Sequence, residues 1–550
     1  MQTDIRYFPH LYRDSVALMR LSADLAARPG VDQASLLMGT PANMDLLVDS
    51  GLVDAPPPAA PGDIVFVARG EPDALAAAYE AAGQALTQGE SRSGEEGGEG
   101  ADVPASLLDA VRAAAESSGA EASGGDFGNA SEDAGEARLA LISTPGEFAG
   151  AEALKALRAG LHTLIFSDNV PLEQEKDLKR EARERHLLVM GPDCGTAIVG
   201  GVPLAFANVV RRGDIGVVGA SGTGIQQITC LIDRLGGGVS HALGTGSRDV
   251  SAEVGGLSML AGLDALAADP GTRVIVLAAK PPAPEVARRV LDAARTCGKP
   301  VVVSFLGADE PLSGDALYGA ATLEEAAHRA VALAAGRPAD FVGAGPDDPD
   351  LRLRAAAAAR FLPAERRFLR GLYTGGTFCY EAQVLLQNLL EPLYSNTPFG
   401  RAKPLESAWK SRAHTLLDLG DDEFTRGRPH PMIDPAPRNA RVVEEAADPE
   451  TGVILLDVVL GYGSNPDPAG ELARAVASAR AAAADARVRP PVFVASVCGT
   501  EADPQRFSEQ CAVLEREDVR LCESNAQAVM LALLILRQAA ARPHAVGGPS

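Results

Sequence analysis

From Arg138 onward, short apolar runs rich in β-branched residues alternate with segments of helical periodicity. The runs begin with RLALIST, TLIFSD and LLVMGP and continue with IGVVGAS, RVIVLAA and PVVVSFLG. A helix between two strands carries the chain back to the end of the sheet where the first strand began, so the next strand runs parallel to it. Continuous apolar runs indicate that helices cover both faces of each sheet. The sequence therefore predicts a multi-domain α/β fold.

Breaks in this pattern divide the chain into domains. An N-terminal stretch of helical and strand patterns predicts a small α/β domain at 1–86. Residues 87–136 form an acidic, low-complexity insert that we expect to be disordered, apart from a transient helix near Leu107–Ala115, because it buries too little apolar surface to offset its ordering entropy. The remaining predicted parts are an α/β half-domain at 137–210, an α/β domain at 211–335, a linker at 336–365 and a second α/β domain at 366–540.

The net charge of −23 excludes some classes of partner. An acidic surface repels phosphate backbones and anionic lipids, so neither nucleic acid nor membrane is expected as a partner. The insert at 87–136 alone carries twelve acidic residues and two arginines. The acidity therefore reflects the solubility of that segment more than the chemistry of a site.

The seven cysteines are scattered and none lies in CxxC spacing. Neither a disulfide framework nor a structural zinc site is predicted, and a reduced, cytoplasmic setting fits. The charged N-terminus does not look like a secretory signal, and the apolar run Ala528–Leu536 is too short to cross a bilayer.

Three segments follow one pattern of strand, glycine-rich turn and helix: VVGASGTGIQQ, LYTGGTFCYEAQ and VVLGYGSNPDPAGEL. In an open parallel sheet such turns lie at the carboxyl ends of the strands, where ligands bind. The start of a helix offers unpaired N–H groups and partial positive charge, which favours phosphate or carboxylate. In the first segment, Gly219, Gly222 and Gly224 match neither the dinucleotide nor the P-loop pattern, so the sequence predicts an anion site of another kind.

Longer motifs connect the chain to a known family. The run from LLVMGPDCGT to GASGTGIQQ resembles the α-chain of succinyl-CoA synthetases, and ILLDVVLGYGSNPD resembles a phosphate-facing segment of the β-chain. The motifs DSVALMRLSADLA, MGTPANMDLL, FSDNVPLEQEKDLK, GLYTGGTF and GRPHPMIDP resemble those of the FdrA family. This resemblance implies a CoA-binding-like domain at 137–210 and two flavodoxin-like, ligase-type domains at 211–335 and 366–540.

The resemblance also shows what has changed. Succinyl-CoA synthetases relay phosphate through a histidine held near a carboxylate, whereas this chain has Tyr318 and Gln227 at the matching positions. A phenol with a pKa near 10 is a poor phosphoryl carrier at neutral pH. The first glycine-rich turn of the CoA domain also has no counterpart. CoA ligation by a phosphohistidine is therefore not expected.

The FdrA resemblance instead implies a subunit of oxamate carbamoyltransferase, acting in allantoin breakdown as a hetero-oligomer with two partner subunits. Phosphate would be a co-substrate that converts oxalurate, a small anionic ureide, to oxamate and carbamoyl phosphate. No cofactor is predicted, and neither CoA nor Mg²⁺ is supported by a motif. Two alternatives stay open: an acyl-CoA synthetase for an unidentified acid, and a non-catalytic, anion-binding scaffold.

The candidate residues form two groups. For phosphate we expect the turn that begins at Ser221 to face the turn that begins at Gly461, across a domain boundary. The YTGGTF turn and the threonine that ends the run PVFVASVCGT would add further contacts. The full predicted set is Ser221, Gly222, Thr223 and Gly224, then Gly461, Gly463 and Ser464, then Gly375, Gly376 and Thr377, and finally Thr500.

For the ureide, the proline-stiffened loop FTRGRPHPMIDP supplies Arg426 and Arg428 as a carboxylate fork and His430 as proton donor. Each candidate has a simpler explanation. Ser221 could only cap its helix, YTGGTF could be a plain turn, and the arginine loop could be a surface cluster of ion pairs. The run Asp418–Asp422 could hold Mg²⁺ but is more often a solvated turn, and no metal site is predicted.

Overall fold

The computed structural model describes residues 2–11, 13, 15–92, 106–118, 138–308, 313–314, 316–425 and 429–541. They fall into two compact units, one formed by residues 1–194 and 424–434 and the other by 195–423 and 435–550. The predicted α/β class is confirmed, because each unit combines helices with sheets and the largest sheets are mainly parallel. Among the described residues, no helix has the length and apolarity required to cross a membrane.

The first unit contains two three-stranded sheets. Its elements in chain order are β1 (Gln2–Phe8), α1 (Ser15–Ala26), β2 (Val31–Met38), α2 (Pro41–Asp49), β3 (Ile64–Gly70), α3 (Pro72–Arg92), α4 (Leu107–Ser118), β4 (Leu139–Ile142), α5 (Gly146–Arg158), β5 (His162–Ile165), α6 (Leu172–Glu184) and β6 (Val189–Met190). The order β1-β3-β2 is antiparallel, and β4-β5-β6 is parallel.

The central strand β3 is buried on both faces. Ile64 and Phe66 pack into one apolar cluster with residues of α1 and α3, while Val65 and Val67 pack into a second cluster with residues of α2. This follows from the alternation of side chains along a strand. The small N-terminal α/β domain is therefore a sheet covered by helices on both sides.

The insert begins later than its composition indicates. Residues 87–92, assigned above to the insert, are the last turns of α3, and the helix expected near Leu107–Ala115 is present as α4. Residues 93–105 and 119–137 lie outside the described residues, so the disorder expected there remains a prediction.

The second unit consists of two lobes, which we call the first lobe (195–335) and the second lobe (349–423 and 435–540). The elements of the first lobe are β7 (Thr196–Val199), β8 (Val202–Ala205), β9 (Arg212–Gly219), α7 (Gly222–Arg234), β10 (Val239–Gly244), α8 (Leu257–Ala268), β11 (Val274–Ala279), α9 (Pro284–Thr296), β12 (Val301–Phe305), β13 (Ser313–Gly314), β14 (Leu317–Gly319) and α10 (Leu323–Ala334).

The elements of the second lobe are α11 (Pro349–Ala359), β15 (Phe368–Tyr373), α12 (Gly376–Leu386), β16 (Leu393–Ser395), β17 (Lys403–Pro404), β18 (His414–Asp418), α14 (Ala436–Ala447), β19 (Thr451–Val459), α15 (Pro468–Asp485), β20 (Val492–Cys498), α16 (Phe507–Arg516), β21 (Arg520–Cys522) and α17 (Asn525–Ala540). The short helix α13 (Asp422–Thr425) lies at the boundary with the loop that belongs to the first unit.

Each lobe is built on one sheet. The first has the order β13-β14-β12-β11-β9-β10-β7-β8, and the second has β17-β16-β18-β15-β19-β20-β21. Two predicted boundaries need correction. Residues 196–205, assigned to the half-domain at 137–210, form a hairpin at the edge of the first-lobe sheet, because Ile198 pairs with Ala242. The linker predicted at 336–365 contains α11, which packs against α17.

Asp503 ties the two lobes together. Its buried carboxylate accepts hydrogen bonds from Asn208 Nδ2 (2.8 Å), the backbone N–H of Val209 (2.7 Å) and the backbone N–H of Thr500 (2.8 Å). The side chain of Asn208 also donates to the carbonyl of Leu460 (2.9 Å). These bonds connect the segment before β9 in the first lobe with the ends of β19 and β20 in the second.

Replacing Asp503 with alanine is expected to lower the free energy of unfolding of the second unit by about 2–4 kcal/mol, because three buried donors lose their acceptor. Calorimetry would measure the unfolding transition of the second unit. Asp485→Ala, at the exposed end of α15, is the control and should change the stability by less than about 0.5 kcal/mol. Equal effects of the two substitutions would contradict the role of Asp503.

Candidate functional site

The starts of α7 and α12 meet at the junction of the two lobes. The hydroxyl groups of Ser221 and Thr377 form a short hydrogen bond, although 156 residues separate them in the chain. Two further contacts are reciprocal. A Cβ atom at Gly224 would lie 3.3 Å from Cγ2 of Thr377, and one at Gly375 would lie 3.0 Å from Cγ2 of Thr223. The glycines therefore permit the two turns to approach closely.

The local sequence explains both helix starts. β9 and β15 are buried strands, and each ends in a glycine-rich turn that allows a sharp change of direction. Ser221 caps α7 by accepting a hydrogen bond from the N–H of Gly224 (3.2 Å), whereas Gly375 precedes α12 without a side-chain cap. The first N–H groups of a helix have no partner within it, so both helices present donors at this junction.

A buried aspartate fixes the turn before α12. Asp457 of β19 accepts hydrogen bonds from the N–H groups of Thr374 and Gly375 (both 2.8 Å) and from the hydroxyl of Thr374 (2.9 Å). Burial raises the pKa of Asp457, although the buried guanidinium of Arg438 at 3.9 Å and these hydrogen bonds favour its ionised form. Asp457 therefore positions the turn that precedes the helix.

A second buried aspartate lies on the other side of that helix start. Asp418, the last residue of β18, pairs across the sheet with Tyr373, and its Oδ2 lies 2.5 Å from the place of a Cβ on Gly376. Burial raises the pKa of Asp418 to about 6, while the nearby Lys280 ammonium and the N–H of Gly420 lower it. Both protonation states are therefore populated near neutral pH.

The sixth residue of each helix is buried and polar. In α7 this is Gln227, whose buried amide nitrogen and oxygen have no hydrogen-bond partner in the described part of the chain. In α12 it is Glu381, which accepts hydrogen bonds from the N–H of Leu323 and from Asn525 Nδ2 (both 2.8 Å). Burial raises the pKa of Glu381 to about 7. Both helices thus have a buried polar side chain at their sixth residue, but only the one in α12 can carry a charge.

The structure corrects the predicted partner of the Ser221 turn. The turn at Gly461–Ser464 packs on the segment 206–208, and Gly461 donates to the side chain of Gln505 (3.0 Å). The helix that follows begins only at Pro468 and is capped by Asp467, whose carboxylate would repel an anion. The turn that faces Ser221 is therefore Gly375–Thr377, which the sequence offered as an additional contact.

The other predicted residues have different surroundings. The hydroxyl of Thr500 donates to the carbonyl of Val209 (2.6 Å), so it joins the lobes. Ser464 is buried and its hydroxyl has no partner. His430 belongs with the first unit, where burial lowers its pKa to about 4, so it is neutral at pH 7 and would not donate as an imidazolium. Arg426 and Arg428 lie outside the described residues.

Within the described part of the second unit, the imidazoles are engaged elsewhere. His414 begins β18, at the end of the strand opposite to Asp418, and accepts from the N–H of Leu369 (3.1 Å). His328 stacks on Phe341 of the linker, and His241 lies in β10. Tyr318 lies in β14 and pairs with Val302. Across the described residues, no group of three His, Cys, Asp or Glu side chains could hold a metal ion.

Sequence reasoning missed the roles of Asp457, Asp418 and Lys280. The signal was present, since each interrupts or directly follows an apolar strand, as in ILLDVVL, HTLLD and VIVLAAK. An ionisable residue in such a run must have a partner or a function, because burial of a charge is costly. The partners themselves come from distant parts of the chain.

Two flavodoxin-like lobes whose glycine-rich turns meet at helix starts define a succinyl-CoA synthetase-like protein. Comparison with family models supports this class: residues 210–307 match a CoA binding domain, residues 372–535 match a CoA-ligase domain, and residues 1–103 match the domain described as AllF, heavy metal-associated. The CoA-binding match thus falls on the first lobe and not on the predicted range 137–210.

The chain belongs to the family of the Escherichia coli (strain K12) protein named "Uncharacterized protein YahF". The two are 40% identical over 539 residues, which cover 97% of this chain and 98% of YahF. The sulfoacetate-CoA ligase (ADP-forming) subunit SqwL of Acholeplasma sp is 27% identical over 177 residues, covering 30% of this chain and 57% of SqwL. The apo acetyl-coenzyme A synthetase 1 of Ca. Korarchaeum cryptofilum matches 73% of this chain and 83% of its own, with 16% identity and a TM-score of 0.29.

The name of the N-terminal domain mentions heavy metals. Residues 1–103 contain no cysteine, since the first one in the chain is Cys194. The thiolate ligands that soft metals prefer are therefore missing from this domain. Its ligand set does not fit a heavy-metal site, and no metal enters the chemistry considered below.

Glu381→Gln is expected to remove a pH-dependent loss of stability. Because the pKa of Glu381 is about 7 in the folded chain and 4.5 is its ordinary value, the wild-type chain loses stability between pH 4.5 and 7. At pH 5 the two chains should be similarly stable, since glutamine resembles a protonated glutamate. At pH 8 the variant should be more stable by more than about 1 kcal/mol.

Urea unfolding at pH 5 and pH 8 measures this difference. Glu509→Gln, on the exposed side of α16, is the control and should show the same pH dependence as the wild type. If Glu381→Gln and the wild type have the same free energy of unfolding at both pH values, the raised pKa of Glu381 is contradicted.

Proposed function

We propose that this protein is the oxyanion-binding subunit of an enzyme of the FdrA family that transfers a carbamoyl group between oxalurate and phosphate. The products are oxamate and carbamoyl phosphate. The observation that carries the proposal is the pair of helix starts joined by Ser221 and Thr377. The resemblance to FdrA proteins supports the same assignment.

The paired helix starts suit this chemistry because each end contributes about half a positive charge and free N–H groups. The accessible mouth of the junction lies at Gly222 and Gly376, which are half-buried, whereas Thr223 and Thr377 are buried. Phosphate bound there would be held by backbone donors, with one oxygen directed at the carbonyl of the ureide. Donors fixed before the reaction stabilise the developing oxyanion at little reorganisation cost.

Carbamoyl phosphate and the acyl phosphates of CoA ligases contain the same kind of bond, a mixed anhydride of a carbonyl carbon and phosphate. A site that binds phosphate between two helix starts can therefore serve carbamoyl transfer without a phosphorylated histidine. The absence of an imidazole at this junction, among the described residues of the second unit, fits direct attack by phosphate.

The partners proposed for this subunit are a small anionic substrate and two further carbamoyltransferase subunits. For Arg426, Arg428 and His430, a role in binding the ureide stays a prediction from the sequence, and a neutral His430 would act by hydrogen bonding. The acidic charge of the chain argues against nucleic acid as a partner. A cytoplasmic location fits its free cysteines.

A second candidate is CoA ligation of an unidentified carboxylic acid. The matches to CoA-binding and CoA-ligase models favour it, as does the similarity to a sulfoacetate-CoA ligase subunit. It requires a phosphoryl carrier, for which Tyr318 is the residue at the matching position. CoA-dependent turnover with ATP, or a phosphorylated chain after incubation with labelled ATP, would favour this candidate over carbamoyl transfer.

Removing both hydroxyls with Ser221→Ala and Thr377→Val should reduce carbamoyl transfer by about 10–100-fold, because the phosphate loses two hydrogen-bond partners and the helix starts lose their mutual bond. The assay supplies oxamate and carbamoyl phosphate to the chain reconstituted with its partners and measures oxalurate and released phosphate. Thr296→Val, at the exposed end of α9, is the control and should retain full activity.

Two results would contradict the proposal. One is a wild-type complex that produces neither oxalurate nor phosphate, and the other is a double variant with unchanged activity.

Tyr318→Phe separates the two candidate functions. Direct attack by phosphate predicts that this variant keeps carbamoyl transfer within about twofold of the wild type, because no covalent intermediate forms on the phenol. The measurement is the same oxalurate assay, followed by mass spectrometry of the chain. Loss of activity together with a phosphate on Tyr318 in the wild type would favour the ligase.

A further inference from the structure

A polar cluster formed by Lys280, Asp418 and Tyr380 lies beside the start of α12. Lys280 follows β11 directly in the first lobe and is exposed, and Asp418 ends β18 in the second lobe. The Nζ atom of Lys280 lies 5.3 Å from the ring centroid of Tyr380 in α12. The ammonium of one lobe and the carboxylate of the other therefore flank the helix start that meets Ser221.

The two charged groups are close but not paired. Among the described residues, no ion pair within 4.0 Å joins Lys280 to a carboxylate, although its charge lowers the pKa of Asp418. One carboxylate oxygen of Asp418 accepts from the N–H of Gly420 (3.0 Å), and the other lies against Gly376. Within the described residues, no direct ion pair therefore neutralises the ammonium of Lys280.

Tyr380 gives independent evidence of a polar ligand. Tyr380 is 7% exposed, its ring lies near the Lys280 ammonium, and its buried hydroxyl has no hydrogen-bond partner among the residues that the structure describes. A buried hydroxyl with no partner costs free energy, so native structures usually complete it with water or a ligand. The cluster thus combines an ammonium, a hydroxyl and a carboxyl group near the start of α12.

The cluster adjoins the proposed phosphate site on both sides. The carbonyl of Ala278 in β11 accepts from the N–H of Ala220 (3.0 Å), the neighbour of Ser221, and Lys280 stands two residues later. On the other side, Gly376 contacts Asp418 and precedes Thr377. A substrate bound at the cluster would therefore lie next to the helix starts.

We propose that Lys280 binds the substrate carboxylate and that Asp418 carries the proton exchanged at the substrate nitrogen. This rests on the proposed function. A phosphate oxygen forms a bond to the carbamoyl carbon of oxalurate, and the bond from that carbon to the nitrogen of the oxamate half breaks, with its electron pair passing to nitrogen. Protonated Asp418 gives its proton to that nitrogen and regains one from monohydrogen phosphate, so atoms and charge balance.

Other groups around Asp418 fit this role. Lys280 lowers its pKa, whereas burial, Asp421 and Asp457 raise it, and the result of about 6 suits a group that both gives and takes protons near neutral pH. In the direction that consumes oxamate, Asp418 must begin ionised to accept the amide proton. The rate in that direction should therefore rise with pH around 6.

Binding of oxamate to the chain alone tests Lys280. Oxamate should raise the melting temperature of the wild-type chain, and Lys280→Met should weaken oxamate binding at least about tenfold, because methionine keeps the length and loses the charge. Asp418→Asn should bind oxamate within about threefold of the wild type. Lys410→Met, an exposed lysine before β18, should bind like the wild type. Wild-type affinity in Lys280→Met, or no oxamate binding by the wild type, would overturn the assignment.

Turnover in the reconstituted complex tests Asp418. Asp418→Asn should lower kcat at least about 100-fold with little change in KM for oxamate, and should lose the rise of rate with pH near 6. Asp485→Asn should behave as the wild type. If the wild type turns over and Asp418→Asn keeps its kcat and pH profile, the role of Asp418 is wrong while the proposed function stands. If the wild type makes no oxalurate, the proposed function and the role of Asp418 in proton transfer are both wrong. The oxamate-binding measurement alone then tests whether Lys280 binds the carboxylate.

Discussion

The hydrogen bond between Ser221 and Thr377 joins two helix starts that should repel each other, because each carries partial positive charge. Reciprocal contacts of glycine with threonine bring the turns together, and Asp503 holds the two lobes in place. The junction is therefore stabilised by contacts around it, and its own electrostatics favour the addition of negative charge. A bound oxyanion would neutralise both helix ends at once, which is why we regard the junction as a binding site and not only as a packing contact.

Buried carboxylates next to an anion site require explanation, because a full charge on each would weaken anion binding. Asp457 is compensated by Arg438 and by three hydrogen bonds from Thr374 and Gly375, so its charge is used to position the turn. Asp418 has fewer partners, and burial leaves it partly protonated near neutral pH. The first carboxylate has a structural role, whereas the second remains available for proton transfer. The difference arises from their hydrogen-bond partners, since both end or interrupt buried strands.

The sequence predicted the fold class well, because alternating strand and helix patterns are local and each apolar run became a strand. It also identified the Ser221 and YTGGTF turns, since glycine at the carboxyl end of a strand has a local cause. The pairing of these turns was wrong. Gly461–Ser464 and Gly375–Thr377 follow the same strand–turn pattern, and only the tertiary packing decides which one faces Ser221. Long-range partners such as Asp457 for Thr374, or Lys280 opposite Asp418, leave no periodic signal in either segment.

Gln227 shows how the junction differs from a phosphohistidine relay. A relay needs a carboxylate to orient an imidazole, and an amide at this position cannot supply that charge. The buried Gln227 has two unsatisfied polar atoms, whereas Glu381 at the equivalent position of α12 is held by Leu323 and Asn525. Gln227 carries no charge and the Glu381 carboxylate is held by other partners, so neither equivalent position has a carboxylate available to orient a histidine. The two changes are consistent with each other, and both leave the helix starts as the main electrostatic attraction for phosphate.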